Sequence, residues 1–492
     1  MIFFNKKYSF KKIQLIIVII LFSTNVFANT SAITDIDVDN SHFPPLKASA
    51  LNQKSPKFLT NTLQLLSDNN PNTKRPVIIL FYGQSITEQG WWKTVAKNIQ
   101  TNFPQADIVF ENKAIGAHTS ERLIKTAEAD VYPLQPDLVI FHVYGNHHDY
   151  ESIIKGIRDF TLADIAIMTD HLEKFANISE ETLPKNLSSH NMLNKMHNYL
   201  NKSSRKASWD GWKNYVFLPY ISKQYKVELI DVRDSWKDYL ITNKIPTSHL
   251  LIDNVHLNSQ GEFVMSEIVS SYFQSKFSIK NKALEHEKLF LINRDLKTTS
   301  QKLILKCDGN RFDLILKPGA VEGLINISID GNLPSFNNKT FGFTRTSTYP
   351  DSNWPAILRV RRGDNALIEE DWILSIKNAN SDLTNFDFNL VGTKTGFDGV
   401  GNSNKRFISN SGRVILEPED WNLAFAKSVY KKSLPPQFKV SWKSEFRGVN
   451  RLYLKSTLSK EIRISQDITK KMHTLEFSGP AVNRVRGLRC FN

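Results

Sequence analysis

Val77-Ile78-Ile79-Leu80-Phe81-Tyr82-Gly83-Gln84-Ser85-Ile86-Thr87 is the stretch whose reading decides the fold. The run from Val77 to Tyr82 is apolar or aromatic at every position. Without polar alternation it predicts a strand buried on both faces, as parallel sheets require. The polar Gly83-Gln84-Ser85 then places a serine directly after that strand.

Working outward, strand and helix patterns alternate. Trp91 to Gln100 has helical spacing, Asp107 to Phe110 is a short strand, and Ser120 to Ala129 a helix. Asp137 to Tyr144 is the strongest strand signal, followed by a helix over Tyr150 to Asp159 and a strand over Ala163 to Met168. Trp212 to Tyr225 resumes the helix pattern and Val227 to Val232 the strand pattern. Ser259-Gln260-Gly261-Glu262 has the form of a capping box, with Ser259 as the expected cap. The helix behind it buries Phe263, Val264, Ile268, Val269, Tyr272 and Phe273. Such alternation predicts an α/β domain over residues 73–280, a parallel sheet covered by helices on both faces. Residues 171–208 are polar and His/Asn-rich, and read as an insertion or lid.

From about residue 285 short β-rich segments such as Lys302 to Lys306, Leu324 to Ile329 and Gln437 to Trp442 are separated by Asn, Asp and Gly turns. They predict an all-β sandwich over residues 285–492. Thr395 to Gly401 reads as a β-turn cluster within it. Cys307 and Cys490 are the only cysteines, and an even pair in an exported chain favours a disulfide across this domain.

Export is expected from the N-terminus. Lys6, Lys7, Lys11 and Lys12 precede an apolar run from Ile13 to Phe22, and Val26-Phe27-Ala28 has the form of a cleavage site. Residues 1–28 therefore read as a signal peptide cleaved after Ala28, with a secreted or periplasmic product. Residues 29–72 read as a lead-in segment, and no other stretch could span a bilayer. The chain carries +14, and without the four lysines of the leader about +10. The basic residues are dispersed, so the charge fits an acidic glycan or envelope surface better than nucleic acid.

Three residue types at strand ends carry chemistry. A serine is a poor nucleophile unless a base takes its proton and a third group orients the base. Ser85 follows the first strand, and Asp253 and His256 lie three apart in a loop before the last helix. The oxyanion of an acyl-transfer intermediate needs donors as well. Candidates are the Ser85 N–H, a backbone N–H in the loop Asn112 to Thr119, and a side chain from Asn146 or His147. His142, His147, His148 and Asp149 lack the recurring spacing of a metal centre, so neither metal nor cofactor is expected. Trp91 and Trp92 read as core packing.

With these residues in place, residues 76–275, about two fifths of the chain, resemble the SGNH (GDSL-type) hydrolase superfamily, in its carbohydrate-esterase branch. The resemblance implies a flavodoxin-like three-layer α/β/α fold. It implies Ser85 as nucleophile, His256 as general base and Asp253 as its partner, in metal-free hydrolysis through an acyl-enzyme. Three positions depart from the family pattern. Gln84 replaces an aspartate, Ala117 stands where the family has its oxyanion glycine with Gly116 one residue early, and His147 rather than Asn146 takes the asparagine's place. Asn146 is preferred as donor.

The function expected is an exported serine esterase removing an acyl group, acetyl first, from a carbohydrate or envelope glycan. The β-sandwich is read as a glycan-binding or substrate-positioning partner. The competing readings are a lipase or thioesterase on longer acyl chains, and a non-catalytic glycan-binding protein on a decayed hydrolase domain.

Overall fold

The computed structural model describes residues 42–70, 74–174, 176, 210–277, 284, 286–292, 301–317, 322–454, 460–467 and 469–492. The expected leader, the start of the lead-in and most of the expected lid at 171–208 lie outside these residues.

The first sheet grows from Val77–Gly83 (β1), buried along its whole length. It is joined by Ile108–Asn112 (β2), Leu138–His142 (β3), Asp164–Met168 (β4) and Glu228–Ile230 (β5). The order is β2-β1-β3-β4-β5 with every neighbouring pair parallel. This order is that of flavodoxin-like doubly wound sheets.

Side chains alternate across β1. Ile79 and Phe81 join a core with Trp91, Val95, Trp236 and Val264. Leu80 and Tyr82 join the opposite core with Leu123, Tyr150, Ile153 and Leu218. The helices that cover the first face are Thr60–Ser67 (α1), Trp91–Asn102 (α3), Val232–Asn243 (α7) and Ser259–Ser270 (α8), each of which contributes apolar residues to that core. The other face carries Ser120–Asp130 (α4), His147–Phe160 (α5) and Leu218–Tyr225 (α6). A short helix, Ser85–Glu88 (α2), sits at the end of β1. Helix α1 falls inside the expected lead-in, yet Leu59, Leu63 and Leu66 are fully buried, so this part of the segment belongs to the core.

The C-terminal half is all-β but is built as one β unit inside another. Sheets β18-β9-β20-β7 and β19-β8-β21-β6 share an apolar core containing Leu305, Phe312, Leu314, Ile327, Leu475 and Phe477. Here β6 is Glu287–Leu291, β7 Lys302–Gly309, β8 Arg311–Leu316 and β9 Gly323–Ile329. The later strands are β18 Arg451–Leu454, β19 Lys460–Ser465, β20 Lys471–Ser478 and β21 Val485–Phe491. Cys307 on β7 and Cys490 on β21 form a disulfide between the two sheets.

Between β9 and β18 the chain makes a second β unit. Its strands are Phe341–Phe343 (β10), Arg361–Arg362 (β11), Glu370–Lys377 (β12), Asp387–Gly392 (β13), Gly396–Asn402 (β14), Phe407–Ile408 (β15), Val414–Leu416 (β16) and Lys439–Phe446 (β17). The main sheet is β10-β17-β12-β13-β14, and a smaller one is β11-β16-β15. Helix Leu423–Tyr430 (α9) completes it. Gly396–Asn402, which contains most of the expected turn cluster, is edge strand β14.

This inserted unit packs on α4. Arg345 holds Asp130 with two bonds of 2.7 Å, Arg359 reaches Glu128 at 3.1 Å, and Lys125 lies 3.2 Å from the buried Asp420. Trp354, Phe386 and Trp372 continue the apolar core that begins beneath β1.

Candidate active site

A parallel sheet collects its carboxyl ends on one edge, where sites of doubly wound folds form. The register sets Phe81 opposite Asn112 and Gly83 opposite His142. Ser85, the loop after β2 and the loop after β3 therefore meet. Gly83 is needed for this closeness, because a Cβ there would lie 2.1 Å from the His142 carbonyl and 2.4 Å from Thr87 Oγ1. Ser85 is the first residue of α2, so its N–H has no intrahelical acceptor.

His256 Nε2 lies 2.9 Å from Ser85 Oγ, and His256 Nδ1 lies 2.7 Å from Asp253 Oδ2. The carboxylate can only accept, so Nδ1 carries the proton and Nε2 is free to take the serine's. Asp253 Oδ1 accepts the N–H groups of Val255 and His256, each at 2.8 Å. Those two bonds, His256's first, then the imidazole, bring its pKa down to about 2. The Asp253 side chain is 53 % exposed and that of His256 33 %, so the triad lies at an open surface.

Residues far along the chain hold the histidine loop. Gln89 donates to the Leu257 carbonyl at 2.9 Å and accepts its N–H at 3.0 Å, tying α2 to the residue after His256. His171 Nε2 donates to the Val255 carbonyl at 2.7 Å. Asn258, not Ser259, caps α8 through the Gly261 N–H at 2.9 Å. Glu262 instead accepts the Gly90 N–H at 3.2 Å, because the cap position falls one residue earlier than the capping-box pattern places it.

Beneath the edge lies a buried polar network. Asp170 receives His142 Nε2 at 3.0 Å, Lys213 Nζ at 2.9 Å and Asn214 Nδ2 at 3.1 Å. Burial opposes its ionisation, but Lys213 and His142 together outweigh burial and hold the carboxyl well below the usual range. His142 is thus a hydrogen-bond partner of Asp170. Among the described residues no three His, Cys, Asp or Glu side chains converge as a metal site.

The loop after β2 passes directly beside Ser85. A Cβ added at Gly116 would lie 3.9 Å from Ser85 Cβ. Ile115 to His118 form a turn closed by the His118 N–H on the Ile115 carbonyl at 3.2 Å, with Ala117 at φ +55°. The loop therefore does demand the left-handed conformation at this alanine, at a cost of about 1 kcal/mol.

After β3, Asn146 is exposed and caps α5, its Oδ1 accepting the His148 N–H at 2.8 Å. The His147 ring turns instead to Trp212 and Phe217, with ring centres 5.2 and 5.7 Å away. Gln84 reaches this same loop, its Oε1 accepting the Tyr144 N–H at 3.4 Å. Trp91 is buried and donates to the Ile86 carbonyl, so it supports α2 from below, and Trp92 packs against Phe81.

Sequence reasoning missed Gln89, Asp170, His171 and Lys213, as well as Asn353 and Asn422 of the inserted β unit. None sits in a recognisable pattern, since each acts on a residue distant in sequence. His118 lies inside the loop Asn112 to Thr119, but its sequence position carries no hint of its contacts.

No protein-family model matches the chain, nor does any curated protein. Among solved structures it is similar to a two-domain esterase (CEX) active on acetylated mannans, with 11 % identity over 91 % of this chain and 99 % of that one, and a TM-score of 0.35. It is also similar to the acetylxylan esterase Axe2 from Geobacillus stearothermophilus, at 16 % identity over 42 % and 97 % of the two chains and a TM-score of 0.30. A GDSL-like lipase from Parabacteroides merdae matches at 13 % identity over 40 % and 96 %, with a TM-score of 0.30. At such identities and scores, likeness by itself assigns no activity.

Proposed function

We propose that this chain is a serine ester hydrolase that removes acyl groups, acetyl first, from a carbohydrate or envelope glycan. The observation that carries the reading is the continuous relay from Ser85 through His256 to Asp253. His256 Nε2 takes the Ser85 proton as Oγ attacks the ester carbonyl. The oxyanion is received by the N–H groups of Ser85 and Ala117, with the Asn146 amide as the third donor. His256 then protonates the departing sugar oxygen, leaving acetyl-Ser85. Water, activated by the same imidazole, releases acetate and restores the serine. Every step is a proton transfer or an acyl transfer, and the triad supplies the groups for each.

The half-exposed triad favours an ester carried on a large hydrophilic molecule over a long acyl chain needing an apolar tunnel. The polar composition of residues 171–208 and the basic mature chain point the same way. Export through residues 1–28, to the cell exterior or periplasm, would bring the enzyme to such substrates.

The test is acetate release from p-nitrophenyl acetate and from O-acetylated glycans, by the protein and by Ser85→Ala. Loss of at least about 10³-fold in the variant is expected. Equal turnover by both proteins would remove Ser85 from this role.

A further inference from the structure

The inserted β unit touches the loop beside the nucleophile at two points. Asn353 Nδ2 donates to Glu88 Oε1 at 2.6 Å, and Glu88 is the last residue of α2. The other oxygen of Glu88 occupies the space beside Gly116, where an added Cβ would approach it to 2.7 Å. On the far side of the loop, Asn422 Nδ2 lies 3.2 Å from His118 Nε2, and His118 Nδ1 lies 2.8 Å from the Gly116 carbonyl.

The direction of each bond in this chain is fixed by chemistry. Asn422 Nδ2 also meets the Pro355 carbonyl at 3.0 Å, which can only accept, and Asn422 Oδ1 meets Arg122 at 2.9 Å, which can only donate. The amide orientation is thereby determined, and the group facing His118 is a donor. His118 Nε2 must accept, so its proton is on Nδ1, where the Gly116 carbonyl receives it. Both His118 and Asn422 are fully buried. Burial first, then Arg122 and Arg345, bring the His118 pKa down to about 4, in keeping with a neutral ring. Trp354 packs edge-on against that ring, with ring centres 4.7 Å apart.

The consequence falls on one peptide plane. The bond between Gly116 and Ala117 is trans, so its C=O and N–H point in opposite directions. Holding the Gly116 carbonyl towards His118 turns the Ala117 N–H away from His118. Among the described residues neither the Gly116 nor the Ala117 N–H donates to another group.

We infer that Asn422, acting through His118, is a positioning residue that aims the Ala117 N–H at the oxyanion, so that the inserted β unit completes the active site. This rests on the serine-esterase reading above. It explains how an alanine can stand at a position of positive φ. The two bonds to His118 and the turn hold the peptide in a state that alanine alone disfavours.

Two isosteric replacements separate aiming from mere packing. In His118→Asn the amide nitrogen stands near Nδ1 and can still donate to Gly116, whereas in His118→Gln it stands near Nε2 and cannot. The expected result is a kcat on p-nitrophenyl acetate at least about tenfold higher for His118→Asn, with KM alike, since misaimed donors cost transition-state stabilisation. Inhibition by a small boronic acid, whose adduct on serine is tetrahedral, should weaken in step with kcat. Equal kcat for the two, or a higher value for His118→Gln, would overturn the inference. Asn422→Asp keeps the Arg122 contact but offers His118 no N–H. A kcat lowered about tenfold at unchanged KM is expected, and wild-type kcat would contradict it. Ser85→Ala run alongside keeps the two readings apart. Turnover that survives it defeats the esterase reading, while Ser85-dependent turnover indifferent to His118 and Asn422 defeats only this one.

Discussion

Gly116 and Asp253 show how single residues set the chemistry. Gly116→Ala would drive a methyl group against Glu88 Oε2, on a carboxylate whose other oxygen, Oε1, already accepts from Asn353. Displacing that loop should lower kcat about 10- to 100-fold with little change in global stability, as steady-state kinetics and thermal unfolding would show. Asp253→Asn keeps an acceptor for the backbone N–H groups but loses the charge that fixes the imidazole. A fall in kcat of about 10²-fold or more is expected in the same assay.

The sign of the Asp253 shift also restricts the pH profile. A carboxyl held near 2, below its ordinary 3.8, gives its stabilising effect above the ordinary value and loses it only as pH falls towards 2. Activity lost on acidification above about pH 4 therefore belongs to a group other than Asp253. The triad residues were legible because a serine after a buried strand and an Asp/His pair before a capped helix are local patterns. The partners of His118 were not, since Asn422 lies 304 residues away.

At the scale of elements, the sheet edge stands on the Asp170 network between the end of β4 and the stretch leading into α6. Lys213→Met would leave a buried carboxylate with only His142 and Asn214. Breaking such a pair should destabilise the protein by about 3 kcal/mol, measurable by urea unfolding. An unchanged midpoint would show that Lys213 contributes no net stability there. Elements of the α/β domain could be read from sequence because short apolar runs bounded by turn residues point to buried strands, and 3.6-residue spacing to helices. The cap of α8 was misplaced by one residue because Asn258 and Ser259 are both good caps, and the local pattern does not separate them.

For the whole molecule, the nesting of one β unit inside another was invisible in the sequence. Both units are built from short strands with the same turn residues, and only pairing shows that β9 neighbours β18 across the inserted residues. The disulfide from Cys307 to Cys490 encloses that insertion, with a sequence separation of 183 residues. Replacing both cysteines by serine should cost the outer β unit about 2–4 kcal/mol, seen as a lower unfolding temperature that reducing agent no longer affects. Arg345 on Asp130 and Arg359 on Glu128 lock the inserted unit to α4, so its Asn422 reaches His118 from a fixed base.

The most direct measurement on the central claim is acid quenching of the protein during turnover of p-nitrophenyl acetate, followed by peptide mass spectrometry. An acetyl group on the peptide containing Ser85, absent in Ser85→Ala and accumulating in Asp253→Asn if deacylation is slowed, is the predicted result. Continued acetate release with Ser85 never acetylated, or with the acetyl group on another residue, would contradict the account.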